Sequence, residues 1–324
     1  MRDTIRAMAS REAPSPSASA STCTLAVPRG DSLPWNRCQR AWSKMSSRRL
    51  QAVLGHVVAA PGGSSGSSAA AAAAAASGGS SVELPAPMTF VRGPPMKNRF
   101  MLAPLTNEQS GADGVLSDDE YNWLVKRAEG GFGLTMTCAS HVQRIGQGFS
   151  GQLGCWSDDH LEGLTRLAAG INKHDSVSVV QLHHAGIRSP PNLIGEAPVG
   201  PSDDEDTGSR ALSTAEVEQL VEDFIVGAQR CEAAGFDGVE LHGAHEYILC
   251  QFLSADRNRR TDQYGGSAEN RERIVREIIT GIRARCRPDF NVGIRLSPER
   301  FGIKLGMHSL STLFHFSLLC RRVS

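Results

Sequence analysis

From about Val82 to Ser297 the chain alternates short apolar runs with amphipathic segments, and this alternation restricts the available folds more than any other feature. The runs are FMLAPL (100–105), GLTMTCA (133–139), VSVVQLH (177–183), DGVELH (237–242) and NVGIRLS (291–297). Each reads as a strand. The segments between them have helical periodicity and legible ends. Ser117 caps one that carries Tyr121, Leu124, Val125 and Ala128 and stops at Gly130-Gly131. A second begins near Ser157 with Leu161, Leu164, Leu167 and Ala168. Ser213 and Glu216 have the spacing of a capping box, ahead of Val217, Leu220, Val221, Phe224, Ile225 and Ala228 on one face, with Gly235 at the end. Ser267 caps the last, which aligns Ile274, Val275, Ile278, Ile279 and Ile282.

Strands apolar on both faces, each followed by a helix, predict a parallel sheet covered by helices. Two architectures meet that description: an open doubly wound sheet and a TIM-type (β/α)8 barrel. The open sheet normally carries a glycine-rich turn after its first strand, where this chain has PLTNEQSG. Its polar residues collect instead at the strand ends: Thr106, Gln181, His242 with His245, and Arg295. In a barrel those ends meet at one mouth, so an α/β fold of the TIM-barrel type is expected. About five of the eight strand–helix units can be placed, so the barrel is expected to be incomplete. The pattern fades near Met307, and the tail HSLSTLFHFSLLCRRVS has no cap, no helical face and no turn signal. An altered reading frame, a retained intron or a truncated gene model is the expectation there.

The chain thus divides into a leader (1–81), a barrel segment (82–307) and an atypical tail (308–324). The leader is rich in Ser, Ala, Pro and Arg and ends in GGSSGSSAAAAAAAASGGSS, too poor in large apolar residues to order itself. Six arginines against Asp3, Glu12 and Asp31 in its first 40 residues give the balance of an organelle transit peptide, and Met45 offers a second start. Location therefore stays open between the cytoplasm and an organelle. Overall, 34 basic and 34 acidic side chains cancel, which argues against nucleic acid as a partner. No apolar run reaches the length of about 18 residues that a membrane span needs. The eight cysteines show no CxxC spacing, against a zinc ribbon, an iron–sulfur cluster or a disulfide framework.

The chemistry concentrates in VELHGAHEYILCQFLS (239–254), where an apolar strand gives way to His242, His245 and Tyr247. Three readings fit. The histidines are satisfied loop residues; or they bind a metal with Cys250 or His184 as third ligand, as in a barrel hydrolase; or they aim two N–H donors at one oxygen, beside a phenol able to deliver a proton. Gln181 and Arg295 at other strand ends favour the donor reading. Trp156, Asp256 to Arg260 and Tyr264 are expected to be structural, SDDED (202–206) a solvated turn, and Cys138 and Cys155 packed.

The stretches KNRFMLAPLT (97–106), VVQLHHAG (179–186), GFDGVELHGAHEYILCQFLS (235–254), NRRTDQYGGSAENR (258–271) and VGIRLS (292–297) together resemble the old yellow enzyme family of flavin-dependent ene-reductases, from about Val82 to Met307. The resemblance implies an FMN-binding barrel that takes hydride from NADH or NADPH and passes it to the C=C bond of an α,β-unsaturated carbonyl compound. It implies Pro104 and Thr106 along the flavin ring, a backbone N–H of Ala139 toward it, Gln181 at the pyrimidine edge and Arg295 at N1 and O2. His242 and His245 would then bind the carbonyl oxygen of an activated alkene, and Tyr247 would protonate it at carbon. Family members continue with three more strands, whose last loops hold the flavin phosphate; no such residues can be named here, and an inactive relative unable to bind FMN is the alternative. Glu246 stands where the family usually has a small residue, and Asn107 where many members have a basic one. A small-molecule substrate is expected, and a homo-oligomer remains open.

Overall fold

The computed structural model describes residues 83–297. The expectations for the leader and the tail lie outside the described residues. The strands are β1 (Met101–Leu102), β2 (Leu134–His141), β3 (Val177–His183), β4 (Val199–Gly200), β5 (Arg210–Ala211), β6 (Gly238–Gly243) and β7 (Asn291–Leu296). The helices are α1 (Asp118–Glu129), α2 (Leu161–Asn172), α3 (Pro191–Ile194), α4 (Thr214–Ala233), α5 (Ile248–Leu253) and α6 (Ala268–Arg285). One sheet runs β1-β2-β3-β6-β7, every pair parallel, while β4 and β5 pair separately within the β3–α4 connection. Spatial order follows chain order, with a helix crossing between successive strands. That is the wall of a (β/α) barrel, five strands wide among the described residues.

The helix ends form as the sequence predicts. The Ser117, Ser213 and Ser267 side chains accept the backbone N–H of Glu120, Glu216 and Asn270, and the Ser213–Glu216 capping box is closed in both directions. Gly235, at φ +91°, turns the chain from α4 toward β6. The first strand is shorter than FMLAPL: only Met101 and Leu102 pair, with Leu134 and Thr135. Pro104 has no N–H to extend the ladder, and Leu105 and Thr106 are exposed.

The two sheet faces differ, which corrects the expectation of strands apolar on both. Val180, Leu182, Val239 and Leu241 turn outward and join α1, α2, α4 and α6 in the main core, where Leu124, Leu164, Phe224 and Ile278 are fully buried. The alternate residues face the concave side. At the strand starts that side is apolar: Met96, Leu134, Met136, Val177 and Val179 cluster there with Met88 and Phe90. Met88 and Met96 bridge in antiparallel fashion to form this floor. Toward the strand ends the same face turns polar, with Gln181, His183, Glu240, His242 and Arg295. The β2–β3 register shifts between Met136 and Ala139, and Thr137 holds the irregularity by accepting the Gln181 N–H at 3.2 Å and donating to the Cys138 carbonyl at 2.8 Å.

NRRTDQYGGS forms a knot that ties the β4–β5 ribbon to α5 and α6. Asn258 donates to the carbonyls of Phe252 (2.8 Å) and Tyr264 (2.7 Å), and Arg260 bonds Asp262 and the carbonyls of Pro201 and Leu212. A Cβ at Gly265 would sit 2.3 Å from the Arg260 carbonyl, so only glycine fits. SDDED is more than a solvated turn: Asp204 is largely buried and pairs with Arg257 at 2.8 Å, and Asp203 accepts the Ala211 N–H at 2.8 Å. Cys138 and Cys155 are packed, as expected.

Candidate active site

β6 ends at Gly243, and the next residues leave the strand through a sharp turn. His245 and Glu246 both sit at φ +57°, a left-handed conformation that costs a side-chain-bearing residue about 1–2 kcal/mol. The turn is fixed from outside. The His245 N–H donates to Ser297 Oγ (3.0 Å), Arg188 donates to the His245 carbonyl (3.1 Å), and Gln251 Nε2 donates to the Glu246 carbonyl (2.6 Å). Strain held in this way re-aims the residues on either side. Glu246 occupies a position where a residue without a side chain would be unstrained, and its carboxylate turns to Arg257 at 3.5 Å.

The turn folds His245 back over His242, with ring centroids 5.1 Å apart at 76°. Tyr247 follows as the N-cap of α5 and packs edge-to-face on His242 (4.8 Å, 79°), with its ring 6.5 Å from that of His245. His242 is buried, and the Ala244 N–H donates to its Nδ1 at 3.4 Å, leaving the ring proton on Nε2. Burial, reinforced by His245 and Arg295, pushes the His242 pKa down to about 3. That of His245 is lowered by burial, then by Arg295 and Arg188. Both rings are therefore neutral N–H donors near pH 7.

The other expected residues take separate places. Arg295 on β7 pairs in register with His242, one strand away. Gln181 on β3 is buried, and its Nε2 donates to Glu240 Oε1 at 2.8 Å. Burial raises the Glu240 pKa, opposed by the Gln181 amide and by Arg295. Ala139 on β2 lies opposite Gln181 in register. Pro104 is half-buried and Thr106 exposed on the segment after β1, and neither has a bond to the imidazole group. Beside them, both side-chain polar atoms of Asn107 are buried without a hydrogen-bond partner.

Sequence reasoning missed Glu240 and His183. Both show a weak signal: each lies two residues from a recognised position (His242 and Gln181) on the same strand, hence on the same face. Arg188 and Ser297, which hold the turn, have no local signal because their partners are 57 and 52 residues away. The metal reading has no third ligand here. Nε2 of His184 lies 3.0 Å from Gln143 Oε1, and its Nδ1 accepts the Gly186 N–H at 3.0 Å. Among the described residues no group of three His, Cys, Asp or Glu side chains could hold a metal ion.

Comparison with known proteins found matches in family, in sequence and in fold. The sequence model of the NADH:flavin oxidoreductase / NADH oxidase family matches residues 83–312. The probable NADH-dependent flavin oxidoreductase YqiG of Bacillus subtilis is 39% identical over 66% of this chain and 59% of its own. Morphinone reductase, solved in complex with tetrahydroNAD, superposes with a TM-score of 0.67 at 31% identity, covering 74% of this chain and 71% of its own. The old yellow enzyme homologue from Zymomonas mobilis gives 0.67 at 27% identity, with 74% and 70% covered. The chain spans 57–59% of the length of the curated relatives it first matches. With a family match across most of its length and a concave face of this composition, the chain belongs to the NADH:flavin oxidoreductase / NADH oxidase family, that of the old yellow enzymes.

Proposed function

We propose that this protein is an FMN-dependent oxidoreductase that draws on NADH or NADPH and reduces the C=C bond of α,β-unsaturated carbonyl compounds. The observation that carries the reading is the convergence of two neutral imidazoles and a phenol at the polar end of the concave face, one strand from a cation. The residues fit FMN: the pyrimidine half of a flavin presents carbonyl oxygens and an N–H, and Gln181 offers an amide whose orientation Glu240 fixes. Arg295 brings a permanent positive charge to the same face. When bound, FMN supplies hydride at its ring.

The protein's own groups do the rest. His242 and His245 donate N–H bonds to the substrate's carbonyl oxygen, which gains negative charge as hydride reaches the β-carbon. Donors fixed in advance stabilise that enolate more than the ground state and so lower the barrier. As a neutral ring each imidazole offers one N–H, and in His242 the bond from the Ala244 N–H to Nδ1 leaves it on Nε2. Tyr247 transfers its hydroxyl proton to the α-carbon, completing addition of hydride and proton across the double bond, and recovers a proton from water. Arg188, 5.4 Å from the centre of the Tyr247 ring, favours the transient phenolate.

The test is anaerobic. The purified chain is loaded with FMN, reduced with NADH and mixed with 2-cyclohexenone. Reoxidation of the flavin with formation of cyclohexanone is the expected result. Flavin that is bound and reduced yet inert to the enone would refute the assigned substrate class. A folded chain that takes up no FMN would refute the cofactor assignment and favour an inactive relative.

A further inference from the structure

His183 is fully buried on β3 and belongs to no step described so far. Its protonation state follows from three bonds. The Gly148 N–H donates to Gln152 Oε1 (2.7 Å), which fixes the amide orientation, so Gln152 Nε2 is the donor both to the Ala139 carbonyl (2.8 Å) and to His183 Nδ1 (3.0 Å). Nδ1 therefore accepts, and the ring proton lies on Nε2. That Nε2 is buried and has no oxygen or nitrogen partner, an arrangement that is costly unless the N–H meets something else. Two rings of the site touch His183. His242 is 5.5 Å away at 55°, whereas Tyr247 is closer and nearly perpendicular, at 4.3 Å and 80°. Perpendicular contact at that distance is the geometry in which the positive edge of one ring meets the π-face of another.

We propose that His183 is a positioning residue for Tyr247: Gln152 holds it with the proton on Nε2, and that N–H edge seats the phenol ring and steadies the charge it carries after giving up its proton. The inference rests on the reading of Tyr247 as proton donor. With the Arg188 guanidinium also at the ring, Tyr247 has one cation and the positive edge of one neutral imidazole about it while its hydroxyl serves the substrate.

Two variants separate an N–H role from a filling role. His183→Phe keeps the ring and removes the N–H, whereas His183→Gln keeps an N–H near the same point and sacrifices ring shape. In the FMN-loaded protein, His183→Phe is expected to slow reoxidation by 2-cyclohexenone about tenfold, the effect of one modest hydrogen bond, and His183→Gln to recover most of it. The limiting rate of reduction at saturating NADH should stay at the wild-type value in both. In a Tyr247→Phe background the difference between the two variants should vanish. Phe equal to or better than Gln, or the same loss without the Tyr247 hydroxyl, would overturn the proposal. A wild-type chain that takes up no flavin counts against the proposed function instead, and the tautomer can then be read without flavin. Long-range 1H–15N spectra of histidine-labelled protein, assigned with His183→Gln, should show His183 protonated at Nε2 alone; a proton on Nδ1 would sink the inference.

Discussion

Replacing His242 with alanine removes one of the two proposed oxyanion donors, and the structure lets the loss be sized. Burial pushes its pKa down to about 3, so the ring is neutral at pH 7 and the group lost is a neutral N–H donor. Removing one such fixed donor costs about 3 kcal/mol in the barrier, or about 100-fold in rate. The loss should fall on one half of the reaction. Reoxidation by 2-cyclohexenone creates the enolate and should slow about 100-fold. The limiting rate of reduction by saturating NADH creates no such oxyanion and should change little. Stopped-flow traces of the two halves provide the assay, and His242→Asn, which keeps an N–H, should recover a large part of the loss. A reoxidation rate within threefold of wild type, or equal losses in both halves, would refute the oxyanion role.

Buried neutral histidines make the fold sensitive to acid. Burial lowers the pKa of His141 to about 4 and of His184 and His242 to about 3, against an ordinary value of 6.5. Their contribution is present above pH 6.5 and is lost as pH falls toward the folded values, at about 1.4 kcal/mol per pH unit for each group. The urea midpoint should therefore drop sharply between pH 7 and pH 5, and a flat profile would contradict the burial argument. Asn258→Ala removes the donor from two carbonyls inside the Arg260 knot and should lower unfolding free energy by about 1–3 kcal/mol in urea titration. Ser213→Ala opens the capping box of α4 and should cost about 1 kcal/mol in the same experiment, with no effect on flavin binding.

The framework was legible because its signals are local. Serine caps, glycine stops and helical periodicity marked α1, α2, α4 and α6, and β3 runs over the seven residues expected. The short β4–β5 ribbon and the floor bridged by Met88 and Met96 were not legible. Each rests on pairing between segments with little periodicity of their own. The site divides in the same way. His242, His245 and Tyr247 lie within six positions and announced themselves. Glu240 and His183 did not, because a polar residue on a buried strand is read as an exception until the sheet shows that one face is polar throughout. The tautomer of His183 depends on Gln152, 31 residues away, and no reading of either segment alone supplies it. The left-handed pair at His245 and Glu246 was also hidden, since positive φ is uncommon for any residue with a side chain and the contacts that hold it come from distant segments.

The central claim is that the polar end of the concave face receives a flavin beside the imidazole–phenol group. Fluorescence titration of FMN with the purified, folded chain measures this most directly, with Arg295→Gln as the companion variant. Saturable quenching by the wild-type chain, weakened by Arg295→Gln while unfolding behaviour is unchanged, is the predicted result. A folded chain that leaves FMN fluorescence unaltered, or a variant that binds as well as wild type, would contradict the account.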